Sequence, residues 1–382
     1  MPKLPAKKPK IALVHWIIND VGGINSWCKN FIKGLDALGV ENQLYYSTSQ
    51  ARYDCHPDRE VKCQRYSRLA AKHLSYAKRS IKSTVATLNQ YDLVLFVHPS
   101  PHPTRSNTKS DDTYGWQDIY REVKPKKFAI FHDVNWQKTN AWFAEVADHV
   151  DALMAAQAMF MTPALAYPAD VPKKWEYFPL ILRDPTTIPK KQPEAVICTQ
   201  WVKLKNHRHF IPQLSKAQYP INFYGDGQEY YELRKTPEFV RHVTDLSNAA
   251  INAQAPDEKA VFNSYVPYED LLNYMAQASV SMDLSIKGQV NMTHWEPMTM
   301  RTVSMIEKRV LAHPDCQIPE HCCYAFDLDN AIEDINQAIR SSIKLTRIRN
   351  QAEQFIKITD HVAVVSRTLD WLAKEQVIRN WR

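Results

Sequence analysis

Short apolar runs alternate with helix-spaced segments twice along this chain, and a proline-rich stretch separates the two blocks. In the first block, Ile11–Val14 leads through Gly22-Gly23 into Trp27, Phe31, Leu35 and Leu38, spaced as one face of a helix that stops at Gly39. Asn42–Tyr46, Tyr91–Val97 and Lys127–Phe131 are further strand candidates, and Gln64–Asn89, which lacks Gly and Pro, reads as one long helix. The second block repeats the alternation. Strands are expected at Ala195–Cys198, Ile221–Tyr224, Val261–Val266, Ser279–Leu284 and Val310–Ala312, and helices at Phe210–Ala217, Tyr268–Gln277 and Met298–Glu307. Amphipathic segments close the chain at Ala331–Ile343 and Arg347–Lys374. Such alternation requires parallel sheets covered on both faces, so the expected class is α/β, with two Rossmann-like doubly wound domains facing across a cleft.

The boundaries follow from composition. Pro179, Pro185, Pro189 and Pro193 mark a linker over 179–194, between an N-terminal domain over 1–178 and a C-terminal domain over 195–355. Residues 356–382 are expected to pack back on the N-terminal domain as a helix. At 382 residues the chain exceeds the roughly 250–300 at which one hydrophobic core stops growing. A net charge of +7 favours anionic partners without naming one. No window approaches the ~18–20 apolar residues of a spanning helix, the N-terminus does not read as a signal peptide, and seven scattered cysteines read as reduced thiols. A cytoplasmic location is expected.

Gly22-Gly23 after the first strand lets the backbone approach a phosphate at a helix N-terminus, or simply makes the turn. The segment is neither G-x-G-x-x-G nor G-x-x-x-x-G-K-[ST], so the dehydrogenase and P-loop fingerprints are absent.

Several motifs then occur in one order: Gly22-Gly23-Ile24-Asn25, His132-Asp133, Trp201 to Asn206, Phe223 to Gly227, Tyr268 to Leu272, and Glu296 before Met298. In that order the chain, over roughly 11–372, resembles the two-domain GT-B glycosyltransferases, especially the retaining group of bacterial polysaccharide and lipid glycosyltransferases. Within that class Val123 to Pro125, Phe131 to Asp133, Pro220 to Gly225 and Leu284 to Glu296 are similar to the phage DNA α-glucosyltransferases, which modify hydroxymethylcytosine in duplex DNA. The resemblance implies an acceptor-binding N-terminal domain and a nucleotide-sugar-binding C-terminal one. It also implies a retaining, metal-independent transfer from a nucleoside diphosphate sugar, a UDP-sugar above all, with no further cofactor. The implied acceptor is a hydroxymethylated pyrimidine in bacteriophage DNA. Two rival readings remain: a polysaccharide, lipopolysaccharide or lipid-linked acceptor with peripheral membrane contact, and a non-catalytic GT-B-like binding protein.

Stabilising a departing diphosphate without a metal falls to cations, helix N-termini and backbone amides. The resemblance gives that task to Gly22, Gly23, Lys203, Lys205 and Gly225, although the two lysines also read as solvated surface charges. Gln200 stands where the family has an arginine five residues before its lysine. The family's two glutamates, eight apart, the first at the donor sugar and the second at the ribose hydroxyls, match Glu296, a candidate catalytic residue, and Ser304, with the diphosphate amides at Thr299 and Met300 and an extra cation at Arg301, which equally reads as an outward helix charge. Asp133, with His132, is the candidate catalytic carboxylate, or else a helix N-cap.

For the acceptor, Arg65, Arg68, Lys72, Tyr76 and Arg79 fall on one face of the expected helix Gln64–Asn89, a stripe suited to DNA phosphates, to anionic lipid or to plain solvent. His102 and Arg105 lie in a long Pro-rich loop suited to acceptor contact. No metal site is expected, because His207/His209 and His321-Cys322-Cys323 lack C-x-x-C partners, and Asp327-Leu328-Asp329 reads as a loop.

Overall fold

The computed structural model describes residues 8–15, 17–18, 23–46, 48–49, 71–75, 77–97, 116–131, 148–155, 174–177, 188–199, 205–225, 228–233, 244–245, 260–263, 268–286, 292–312, 316 and 318–382. They fall into two units, unit 1 (Met1–Ile181 with Thr359–Arg382) and unit 2 (Leu182–Ile358).

Unit 1 contains β1 (Ile11–Val14), β2 (Ile17–Ile18), α1 (Gly23–Ala37), β3 (Asn42–Tyr46), β4 (Thr48–Ser49), β5 (Lys72–His73), α2 (Ile81–Leu88) and β6 (Leu93–Val97). It continues with α3 (Trp116–Glu122), β7 (Lys126–Phe131), β8 (Ala152–Ala155) and β9 (Lys174–Tyr177). Seven strands form one sheet in the order β5-β3-β1-β6-β7-β8-β9, every pairing parallel. β1 and β6 are buried along their whole length, which is why both read as unbroken apolar runs.

Unit 2 runs β10 (Gln192–Cys198), α4 (His207–Phe210), β11 (Ile221–Tyr224), α5 (Gln228–Leu233), β12 (Thr244–Asp245), β13 (Ala260–Asn263), α6 (Tyr268–Gln277) and β14 (Ala278–Met282). Next come α7 (Met292–Thr299), β15 (Val303–Glu307), α8 (Lys308–Leu311), β16 (Tyr324–Phe326), α9 (Ala331–Arg340) and α10 (Ser342–Ile356). Its sheet is again all parallel, ordered β12-β13-β11-β10-β14-β15-β16. The chain goes from β10 to β11 on one side and later returns to β14 on the other. The switch point, where open α/β sheets bind ligands, therefore lies outside the carboxyl ends of β10 and β14.

The last helix, α11 (His361–Lys374), belongs to unit 1, capped by Asp360, which accepts from Ala363 N at 3.0 Å. It packs on α1 through Gly34, where a Cβ would lie 2.6 Å from the His361 carbonyl oxygen and 2.5 Å from Val365 Cγ2. Only glycine fits. Gly34→Ala is expected to lower stability by about 1–3 kcal/mol through overpacking, despite the ~1 kcal/mol gain in helix propensity. A raised thermal midpoint in calorimetry would contradict this packing.

Three sequence expectations need correction. The single helix over Gln64–Asn89 does not exist: Lys72–His73 is an edge strand, Lys78–Ser80 a 3₁₀ turn, and helix begins only at Ile81. Absence of Gly and Pro is no positive helix signal, and Lys72 and Arg79 do not share a helical face. Met298–Glu307 is not a helix, since α7 ends at Thr299 and Val303–Glu307 is β15, buried at every position. Arg301, at φ 52°, closes α7, with Arg301 N donating to the Met298 carbonyl at 3.1 Å and Thr302 N to that of Pro297 at 2.8 Å. That is the hydrogen-bond pattern glycine usually supports. Val310–Ala312 is likewise not a strand, because α8 occupies Lys308–Leu311.

β10 also starts inside the stretch expected as linker. Just before it, Lys191 Nζ donates to the Ala276 carbonyl at 2.6 Å, the Met300 carbonyl at 2.7 Å and Thr302 Oγ1 at 2.7 Å. This clasp joins the ends of α6 and α7 although burial, then Arg349 and Arg301, push the Lys191 ammonium down to about 7.

Candidate functional site

The switch point of unit 2 holds a buried ion pair. β14 ends at Met282 beside Ile197 of β10, so the next residue, Asp283, stands at the carboxyl end of the sheet with no exposed surface. Lys205, which precedes α4, reaches it: Nζ lies 2.8 Å from Asp283 Oδ2, 3.1 Å from Oδ1 and 2.6 Å from Ser285 Oγ. Asp283 also accepts from Ser285 N at 2.8 Å, Ser285 Oγ at 2.6 Å and Thr293 Oγ1 in the first turn of α7. Burial alone would raise this carboxyl. The Lys205 ammonium, His294 and the hydrogen bonds from Lys205 and Ser285 outweigh it and hold Asp283 well below the usual carboxylate range.

Asn206 brings Lys205 into position. At φ 53° it takes the left-handed conformation that Asn tolerates, and its Nδ2 donates to the Leu284 carbonyl at 2.7 Å. His207 is fully buried, with Nε2 2.9 Å from Thr199 Oγ1 at the end of β10 and Nδ1 3.8 Å from Glu229 in α5. Burial lowers the His207 pKa, so at neutral pH the ring is a neutral hydrogen-bonding strut. The exits of β10, β11 and β14 are thus tied together by polar contacts.

Glu296 sits in the second turn of α7, only 4% exposed. With Asp283 it raises the thiol of Cys198, the last residue of β10, after burial as the leading cause. Glu296 therefore lies near enough to the end of β10 to act on Cys198 electrostatically.

Of the residues expected from sequence, Lys205, Glu296 and Gly225 come together at the carboxyl end of this sheet, Gly225 directly after β11. At Thr299, Met300, Arg301 and Ser304 the contacts seen are internal to unit 2. The Met300 amide donates back to the Pro297 carbonyl at 3.1 Å, the Thr299 hydroxyl to that of Glu296 at 2.7 Å, and the Arg301 guanidinium pairs with Glu353. Ser304 lies mid-strand in β15, 1% exposed, in register with Ser281. These positions lie at or beyond the C-terminal end of α7, whereas a phosphate-facing helix offers its N-terminus. Gly23 opens α1 in unit 1. Gly22, Arg65, Arg68, Tyr76, His102, Arg105, His132, Asp133 and Lys203 lie outside the described residues. His209 pairs with Asp329 at 2.7 Å, and Asp327 caps the turn Leu328–Asn330. Sequence reading missed Asp283, Ser285, Thr293, Thr199, His207 and Glu229. Their only local signal is polarity just past an apolar run.

No family model and no curated protein matches the sequence. Solved structures match over nearly the whole length. An alpha-glucosyltransferase in complex with UDP and a 13-mer DNA containing an HMU base matches at TM-score 0.68 and 12% identity, covering 96% of this chain and 100% of that one. The same kind of enzyme with UDP-glucose and DNA containing an abasic site gives 0.67 at 12% identity, covering 95% and 98%. Anabaena HepE in complex with UDP and glucose gives 0.66 at 12%, covering 96% and 100%. The fold is GT-B. In GT-B terms, unit 1 is the N-terminal Rossmann-like domain with the returning helix α11, and unit 2 the C-terminal one. Among the described residues no helix is long and apolar enough to cross a membrane.

Proposed function

We propose that this chain is a glycosyltransferase that binds a UDP-sugar at the carboxyl end of the unit 2 sheet and transfers the sugar, with retention and without a metal, to a hydroxymethylated pyrimidine in duplex DNA. The observation that carries the donor assignment is the Lys205–Asp283–Thr293 cluster, a fixed cation tied to the first turn of α7 at the switch point. A helix N-terminus with an adjacent ammonium suits a diphosphate leaving group. The solved GT-B neighbours carry UDP or UDP-glucose.

The residue roles shift with the register of α7. The helix starts at Met292, so the first turn of α7 is the end proposed to face the diphosphate, and Gly288 stands eight residues before Glu296 in the sequence. Glu296 then takes the helix-borne role of holding the ribose hydroxyls, and Gly288 stands where the family has its other glutamate. Asp133 and His132, directly after β7, remain the proposed pair at the acceptor hydroxyl.

Charge supports a polyanionic acceptor for unit 1. It carries 28 of the 48 basic and 20 of the 41 acidic residues, whereas unit 2 carries 20 and 21, so the whole positive excess lies in unit 1. The test incubates the protein with UDP-, GDP- and ADP-sugars and duplex DNA with or without hydroxymethylpyrimidines, then weighs the digested nucleosides. A sugar mass on hydroxymethylated nucleosides alone, from a UDP-sugar, is expected. Donor hydrolysis without any such mass would move the acceptor to a glycan or lipid carrier, and no turnover at all would favour a binding protein.

A further inference from the structure

From Val61 to Tyr91 the chain has seven Lys and Arg residues and not one Asp or Glu. Part of this stretch forms a defined surface. Because α2 links the end of β5 to the start of β6 in a parallel sheet, the turn Lys78–Ser80 and the start of α2 lie at the carboxyl end of the unit 1 sheet, beside its edge strand. That is the ligand-binding end of such sheets.

The base of this surface is fixed. Thr84, Val85 and Leu88 are buried beneath α2, and Thr84 Oγ1 donates to the Ser75 carbonyl, tying the helix to the exit of β5. Lys72, Lys78, Arg79 and Lys82 are all exposed. Lys72, Arg79 and Lys82 have no acidic partner among the described residues, and Lys82 follows Lys78 and Arg79 at helical neighbour spacing. Other cations of unit 1 do have acidic partners, as Lys126 has in Asp151 at 2.7 Å and Lys10 in Glu41 at 2.8 Å.

We propose that Lys72, Lys78, Arg79 and Lys82 form a docking surface for the phosphate backbone of duplex nucleic acid. The proposal rests on the DNA-acceptor reading and names the residues that would hold that acceptor. A membrane surface fits less well, because interfacial binding needs apolar side chains to bury. Among the described residues the exposed large hydrophobics, Ile188, Tyr274, Ile343 and Ile358, all lie in unit 2.

The test measures affinity of the full chain for a fluorescent 20-base-pair duplex between 50 and 200 mM salt. The triple variant Lys78→Gln/Arg79→Gln/Lys82→Gln is expected to bind at least about tenfold more weakly at 100 mM, with a log–log salt slope shallower by about 2–3. Lys82→Gln alone is expected to change the slope by about 0.9. Calorimetry of each variant checks that the fold is intact. Unchanged affinity and slope in a folded triple variant would overturn the assignment. So would a wild-type chain that ignores duplex DNA, including one that floats with phosphatidylserine vesicles through these same residues. UDP titrated into the wild type separates the two levels: donor binding without duplex binding removes the docking surface and leaves the donor site standing.

Discussion

Replacing Asp283 by alanine is expected to lower the thermal midpoint of unit 2 by about 10 °C. The substitution leaves the Lys205 ammonium, only 15% exposed, without its counter-ion, and strips Ser285 and Thr293 of their acceptor. Breaking one side of such a pair costs about 3–5 kcal/mol, and a unit of this size moves by about 2–4 °C per kcal/mol. The double variant Asp283→Leu/Lys205→Met is expected to recover most of the loss, since removing both charges removes the desolvation problem as well. If the double variant were as unstable as the sum of its parts, the two side chains would not be coupled. The pH dependence has a definite sign. Asp283 titrates lower in the folded chain than the ~3.9 of an unfolded aspartate, so its contribution is complete above that range and fades as pH falls below it. The Asp283→Ala variant should therefore have a flatter acid limb than the wild type.

Glu296→Gln is the second large effect. If the α7 carboxylate holds the ribose hydroxyls, losing its charge removes charge-assisted hydrogen bonds of about 1.5–3 kcal/mol, which raises the Kd for UDP by about 10–100-fold. Turnover at saturating donor would change far less, because UDP and UDP-sugar share the ribose contact in ground and transition states. An unchanged UDP affinity with collapsed turnover would instead put Glu296 on the transferred sugar.

The sequence made most of the architecture legible, for a plain reason. Strands buried on both faces, such as β1 and β6, appear as compact apolar runs, and Gly23 of the Gly pair opens α1. It failed where polar residues are buried or a glycine signal is missing. β15 hides Ser304 and Glu307 inside the sheet, so its run does not look apolar. α7 ends on Arg301 in a conformation that usually calls for glycine, and Pro297 sits inside the helix rather than at its start. Together these set the expected helix six residues late at its start and eight late at its end. Asp283 was illegible for a different cause. Its partner Lys205 lies 78 residues away in sequence, and only the parallel crossover that puts β14 beside β10 brings them together. The basic stretch around Lys78 was visible as charge, but its geometry was misread, because a run without Gly or Pro contains an edge strand and a turn before its helix.

The central claim is that unit 2 is a nucleoside diphosphate sugar site, and isothermal titration of UDP into the intact chain tests it most directly. The account predicts saturable binding of UDP in the micromolar to millimolar range, weaker for the Glu296→Gln variant. No heat from UDP, GDP, ADP or their sugars up to millimolar concentration would contradict it.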